Sequence, residues 1–172
     1  GYVVDECGDG IEGMDYALGA DYDGLVLDIM LPGMDGLSLL RVLRARGYNG
    51  GVLLLTARDA VEDRVNADLQ CEKTVIATGG SAVFGANAMA HLKEIGTVVY
   101  LKLSYEELTT RLGNLKGRGV VLRDGQTLKD LYEERIPLYE KYADVVIEEL
   151  GEGIEETARK IINSVGSRIC AQ

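Results

Sequence analysis

Five runs of strand length, each nearly all apolar, punctuate this chain: Gly24 to Met30 (GLVLDIM), Gly51 to Thr56 (GVLLLT), Thr74 to Thr78 (TVIAT), Thr97 to Leu103 (TVVYLKL) and Asp144 to Glu148 (DVVIE). Continuous apolar runs, as opposed to alternating ones, are the mark of parallel strands covered on both faces. Between them lie segments with helical spacing, and a strand–helix alternation predicts a mostly parallel sheet with right-handed crossovers and helices on both faces. Tyr2 to Glu6 is read as a sixth, short strand ahead of the others.

The helices follow from the same pattern. Ile11, Met14, Ala17 and Leu18 predict a helix over Ile11 to Ala20, and Leu37, Leu40 and Leu43 one over Leu37 to Arg46, closed by Gly47. Asp59 is placed as the cap of a helix that begins about Ala60 and ends near Cys71. Ala86 to Ile95 is helical with Gly96 closing it, and Ser104 with Glu107 forms a capping box for a helix through Arg111. Gly113, Gly117 and Gly119 mark a basic loop of the kind that closes over ligands. Thr127 to Tyr142 is helical with a bend expected at Pro137, and Ile154 to Val165 is a last amphipathic helix. Gly166 to Gln172 has no period and reads as an added or frayed tail.

The expected architecture is a three-layer α/β/α sandwich on a six-stranded, mostly parallel sheet, in one composite domain over residues 1–165. In such sheets ligands bind beyond the carboxyl ends of the strands, where Asp28, Thr56, Gly79 and Gly80 would share a rim.

Composition narrows the function classes. The 172 residues are 47% hydrophobic and 27% charged, and no apolar run reaches the length a membrane span needs. A net charge of −10 argues against a nucleic-acid partner, because that affinity rests on clustered Lys and Arg. Cys7, Cys71 and Cys170 are too widely spaced for a disulfide framework or a zinc site, and the first residues are not those of a secretory signal, so a cytoplasmic location is expected. His91, the single histidine, has no second ligand at metal spacing and is expected on the surface. Tyr100, Tyr132, Tyr139 and Tyr142 are read as packing residues with polar tips.

Two resemblances divide the chain, and they meet in Asn66 to Gly80 (NADLQCEKTVIATGG). The stretches GYVVDECGDGIEGMDYAL, YDGLVLDIMLPGMDGLSLLRVLRARG and VLLLTARDAVEDRV resemble a response-regulator receiver domain from its second strand through its fourth helix. That resemblance implies Asp28 as the phospho-acceptor and Thr56 as the switch hydroxyl. The family holds Mg²⁺ with an acidic pair on its first strand and pairs the phosphoryl group with a lysine after its fifth. Neither has a counterpart here, and one carboxylate makes a poor Mg²⁺ site. Asp28 and Thr56 are therefore expected to be vestigial, a rim aspartate and a local hydrogen-bonding threonine.

From about residue 70 to 165, VIATGGSAV, LKEIGTVVYLKLSYEELTTRL and LYEERIPLYEKYADVVIE resemble the carboxyl-terminal part of shikimate kinase, a small P-loop kinase. The resemblance implies Gly79 and Gly80 in the glycine motif that contacts shikimate, Arg135 as a carboxylate-binding arginine and Arg118 as the lid arginine. Ser81 stands where that family often has a third glycine, and GRGVVL departs from its usual lid sequence. A P-loop kinase cradles phosphates with GxxxxGK[ST], and none of these 172 residues form that motif.

The resulting expectation is a chimera, receiver-like over 1–66 and kinase-like over 67–165, engineered or recombined and retaining folding without a complete native activity. No enzyme activity, cofactor, obligate small-molecule ligand or metal is expected. Residual nucleotide or shikimate binding, or residual phospho-acceptance at Asp28, are the alternatives, and a stray anion at Gly79, Gly80 and Arg118 is plausible. With GVLLLT in the place of the P-loop strand, the strand order becomes 1-2-4-3-5-6 in a monomer or a strand-exchanged homodimer.

Overall fold

The computed structural model describes residues 3–55, 73–112 and 122–169. The chain divides into two compact units, residues 1–91 and 92–172, with the boundary inside a helix. The fold is α/β with parallel sheets. No helix among the described residues is long and apolar enough to cross a membrane.

In the first unit α1 (Gly10–Gly19) leads to β1 (Gly24–Asp28), α2 (Gly36–Ala45) to β2 (Gly51–Leu55), and β3 (Thr74–Ala77) to a single 3₁₀ turn, Ala82–Phe84. Aspartates start both helices. Asp9 Oδ1 accepts from Ile11 N and Glu12 N at 2.8 and 3.3 Å, and Asp35 Oδ1 from Leu37 N and Ser38 N at 3.2 and 3.0 Å, meeting amides that have no intrahelical acceptor. At the far end of α2, Gly47 takes φ +89°, the left-handed closure expected of it.

The three strands pair in parallel in the order β1-β2-β3, with Gly24 opposite Gly51, Asp28 opposite Leu55, Val52 opposite Thr74 and Leu55 opposite Ala77. This corrects the expected order: GVLLL lies between GLVLD and TVIA, so the second, third and fourth predicted strands are sequential neighbours. Apolar content marks a residue as strand but carries nothing about which strand lies beside it.

One face of this sheet is covered. Leu27, Val52 and Leu54 are buried and form the core with Ile29, Leu37, Leu39, Leu40 and Leu43. On the opposite face Val26 and Val75 are 65% and 66% exposed, and Leu55 is also exposed, so the expectation of strands covered on both faces is corrected too. Right-handed crossovers taken in one direction across a sheet all fall on the same side; covering the second side requires the order to reverse, and β1-β2-β3 does not. The strand expected over Tyr2 to Glu6 does not form among the described residues: Val3 to Glu6 is exposed and outside the described sheets.

α3 (Ala86–Ile95) spans the boundary between the units, and its limits are those read from the sequence. The second unit holds β4 (Val99–Lys102), α4 (Tyr105–Leu112), α5 (Leu128–Tyr142), β5 (Val145–Glu148) and α6 (Ile154–Ile169). β4 and β5 pair in parallel, Val99 with Val145 through Lys102 with Glu148. Asp144 sets that register, its Oδ2 accepting from Val98 N at 2.9 Å while its own N–H donates to Val98 O at 2.8 Å. The described strands thus form one three-stranded and one two-stranded sheet, not the expected single six-stranded one.

Three expectations about helices have distinct outcomes. The Ser104–Glu107 capping box forms, Glu107 N donating to Ser104 Oγ at 3.2 Å. α5 runs unbroken through Pro137, fastened at its start by a reciprocal box between Thr127 and Asp130. α6 continues to Ile169, which overturns the reading of residues from Gly166 on as a tail: one glycine costs a helix only about 1 kcal/mol and does not end it. The helix expected from Ala60, its cap Asp59, Cys71, Cys170 and the glycine loop 113–119 lie outside the described residues.

Candidate functional site

In the first unit the carboxyl ends of three parallel strands make a rim. Asp28 is the last residue of β1, and in register it is followed across the sheet by Leu55 and Ala77. Gly79 and Gly80 come two and three residues after Ala77, so they leave the same end of the sheet as Asp28, about two strand spacings, roughly 10 Å, across it. Thr56 follows Leu55 in sequence but lies outside the described residues.

The chain turns sharply beside Asp28. Gly36 N donates to Ile29 O at 3.1 Å, and a Cβ on Gly36 would stand 2.3 Å from Asp28 O, so α2 begins against the strand end only because this position has no side chain. The exposed carboxylate of Asp28 accepts from Met30 N at 2.8 Å, which leaves lone pairs toward solvent. Asp9, the cap of α1, stands against the same loop: Gly10 N donates to Pro32 O at 2.9 Å, and a Cβ on Gly33 would meet the Asp9 carboxylate at 2.4 Å. Asp9 went unrecognised in the sequence, where Gly8 and Gly10 read only as turn signals; an aspartate just before an apolar helical period was the available signal. No group of three or more His, Cys, Asp or Glu with metal-holding geometry occurs among the described residues.

After β3, Gly79 and Gly80 lead into the 3₁₀ turn, where Ala82 N donates to Gly79 O at 3.1 Å and Ala82 and Val83 are buried. His91, expected on the surface, is half-buried in α3 with its Nε2 enclosed, because its face of the helix also carries Ala88 and Leu92, both buried.

The second unit contains Arg135, half-buried on α5. Arg135 donates to the hydroxyl of Tyr139, one helical turn on, while burial pushes the Tyr139 phenol above its ordinary range against the lowering effect of the arginine charge. Tyr139 in turn stacks on Tyr100 of β4, ring centroids 4.9 Å apart and 27° between planes. Tyr132 donates its hydroxyl to Leu103 O at 2.9 Å and meets Tyr105 edge-on at 5.4 Å. Tyr132 and Tyr139 thus pack with bonded hydroxyls, the arrangement read from the sequence for packing tyrosines with polar tips. Arg118 lies outside the described residues.

A second arginine was missed. Glu149, one residue past β5 and 8% exposed, donates its N–H to Lys102 O at 3.0 Å and holds Arg111 Nη1 at 2.5 Å. Glu149 is the buried partner and the Arg111 side chain is 45% exposed, so the carboxylate anchors a guanidinium that still reaches solvent. An open cleft of about 330 Å³ lies beside it, lined by Glu106, Glu107, Thr110, Arg111 and Gly151. A glutamate directly after the apolar run of β5 was the available sequence signal.

Parallel strands joined through helices, with Asp28, Gly79 and Gly80 at one end of the three-stranded sheet, define an α/β protein. The chain belongs to the shikimate kinase family, which matches residues 58–166, and its residues 1–72 match the response regulator receiver domain; it is a fusion of the two. The receiver part is 52% identical over 65 residues to the transcriptional regulatory protein HprR of Escherichia coli K12, covering 38% of this chain and 29% of that protein. It is 48% identical over 65 residues to QseB of Escherichia coli O157:H7, covering 38% and 30%. Against RcaC of Microchaete diplosiphon it is 47% identical over 64 residues, covering 37% and 10%. The chain thus spans less than a third of the length of each of these curated relatives. The two family matches overlap over residues 58–72, so the join lies where both families accept the same sequence.

Proposed function

We propose that this chain is a recombination product of two α/β fold fragments that retains folding and carries neither parent's complete activity. The supporting observation is the β2–β3 pair. β2 lies in the receiver match and β3 in the kinase match, and they are hydrogen-bonded neighbours in one parallel sheet. The fragments are joined inside a layer of secondary structure, as exchange of fold pieces would leave them, and not as two domains on a linker. Neither set of reactive groups is complete in these 172 residues: GxxxxGK[ST] is missing, and the fifth-strand lysine of the receiver gives way to kinase-family sequence. In this reading Asp28, Thr56, Gly79, Gly80, Arg118 and Arg135 are inherited positions without a shared reaction.

Two measurements on the full chain test this. Incubation with ATP, Mg²⁺ and shikimate should give no ADP above background, and incubation with a small phosphoryl donor should give no phosphoryl mass. A mass gain abolished by Asp28→Asn would overturn the reading in favour of a working phospho-acceptor. Urea unfolding followed by two probes should give coincident transitions; two separated ones would show fragments that fold apart.

Residual ligand binding is the second reading, favoured by Arg135, whose guanidinium is already oriented by Tyr139. Stabilisation of the chain by shikimate or ATP–Mg²⁺, lost in Arg135→Ala, would support it.

A further inference from the structure

We infer that Asn49 is a site of spontaneous covalent modification, where deamidation through a cyclic imide loosens the start of the central strand. Asn49 and Gly50 lie in the turn between α2 and β2. The reaction needs an exposed side-chain amide, a following N–H free to deprotonate, and a following residue without a side chain to obstruct ring closure. Asn49 is exposed, and neither its carboxamide nor the Gly50 N–H makes a hydrogen bond within the described structure.

The chain carries its own comparisons. Asp9–Gly10 and Asp35–Gly36 could cyclise in the same way, but their carboxylates cap helices and their glycine N–H groups donate to Pro32 O and Ile29 O. Gly24 of Asp23–Gly24 is fixed in the ladder opposite Gly51. An ionised carboxylate is also a poorer electrophile at Cγ than a carboxamide, which disfavours every Asp–Gly pair, Asp124–Gly125 included.

The deprotonated nitrogen of Gly50 attacks Cγ of Asn49, the N–Cγ bond forms, and the side-chain nitrogen departs as ammonia. Water then opens the five-membered imide at either carbonyl, giving aspartate or isoaspartate. No oxidant or cofactor enters. Isoaspartate inserts one extra carbon into the main chain between residues 49 and 50, and that spacing is used here. Arg44 Nη1 donates to Tyr48 O at 2.7 Å and to Gly50 O at 2.9 Å, and its Nη2 reaches Thr74 Oγ1 at 3.4 Å. One guanidinium bridges the modified bond, so lengthening the bond pulls the two carbonyls off their shared donor just before β2 starts.

The test is to age the intact protein in mildly alkaline and mildly acid buffer and map its peptides by mass spectrometry. The peptide containing Asn49 should show the mass gain of an amide converted to an acid, faster in alkali, with isoaspartate as a product and with no isomerisation at Asp9 or Asp35. Asn49→Gln should stay unchanged. Aged protein should unfold at lower urea than fresh protein, while Asn49→Asp, with the added charge but the normal main chain, should match fresh protein. An unchanged Asn49 peptide in native protein, while a urea-unfolded sample converts, would overturn the assignment. Aged and fresh protein unfolding together after conversion would overturn the effect on β2.

Discussion

Arg44, in the last turn of α2, reaches the hydroxyl of Thr74 on β3 at 3.4 Å while its other terminal nitrogen holds the carbonyls of Tyr48 and Gly50. Arg44 belongs to the receiver match and Thr74 to the kinase match, so one side chain ties the two family segments at the amino-terminal end of the shared sheet. Arg44→Met keeps much of the apolar stem and removes the donors; it should cost about 2 kcal/mol, as hydrogen bonds to charged groups do. Thr74→Val should cost less than about 1 kcal/mol, and the double variant should show coupling of roughly 0.5 kcal/mol. Urea unfolding of the four proteins measures all three.

The uneven covering of the first sheet gives a paired prediction. Leu54 is fully buried, and Leu54→Ala should destabilise by about 3 kcal/mol through lost burial and the cavity left behind. Val26 is on the neighbouring strand but on the open face, 65% exposed. Val26→Thr keeps the β-branched shape and should change stability by less than about 0.5 kcal/mol. Equal losses at the two positions would mean that the open face is covered in solution.

Helix α2 depends on its first residue pair. Asp35 accepts from Leu37 N and Ser38 N and also from the Ser38 hydroxyl at 2.7 Å. Asp35→Ala should cost about 1 to 2 kcal/mol and Asp35→Asn much less, because asparagine caps almost as well. The order of denaturation midpoints for the two variants checks this.

In the second unit, α5 starts with a pH-dependent fastening. The Thr127 hydroxyl, then the Thr127 backbone N–H, hold the Asp130 carboxyl below its ordinary value of 3.8. A lowered folded pKa stabilises the fold above the unfolded value and is lost as pH falls through the folded one. Acid should therefore loosen the first turn of α5 only below about pH 4, and Asp130→Asn should flatten that part of the profile. Amide exchange of Asp130 and its neighbours against pH is the measurement.

Much of the fold was legible because it rests on local chemistry. α3 has the limits that its spacing and Gly96 predict, the Ser104–Glu107 box forms, and β1 lies within the apolar run Gly24 to Met30. Where reading failed, distant groups decided. His91 is enclosed by its own helix face and what packs there, and the pairing of Arg111 with Glu149 joins residues 38 positions apart. Val3 and Val4 have the composition of a strand but join no sheet among the described residues, and a strand without a partner is not a strand.

The sequence by itself determined the alternation of helices and strands, the Ser104–Glu107 capping box, and matches to two family models with a common overlap. Tertiary structure alone decided that β2 stands between β1 and β3, and that Val26 and Val75 face outward while Leu27 and Leu54 are covered. Apolar periodicity reports how much of a residue can be buried. Which neighbour buries it depends on backbone pairing between distant segments, and the side of the sheet a crossover covers depends on the direction in which that pairing advances.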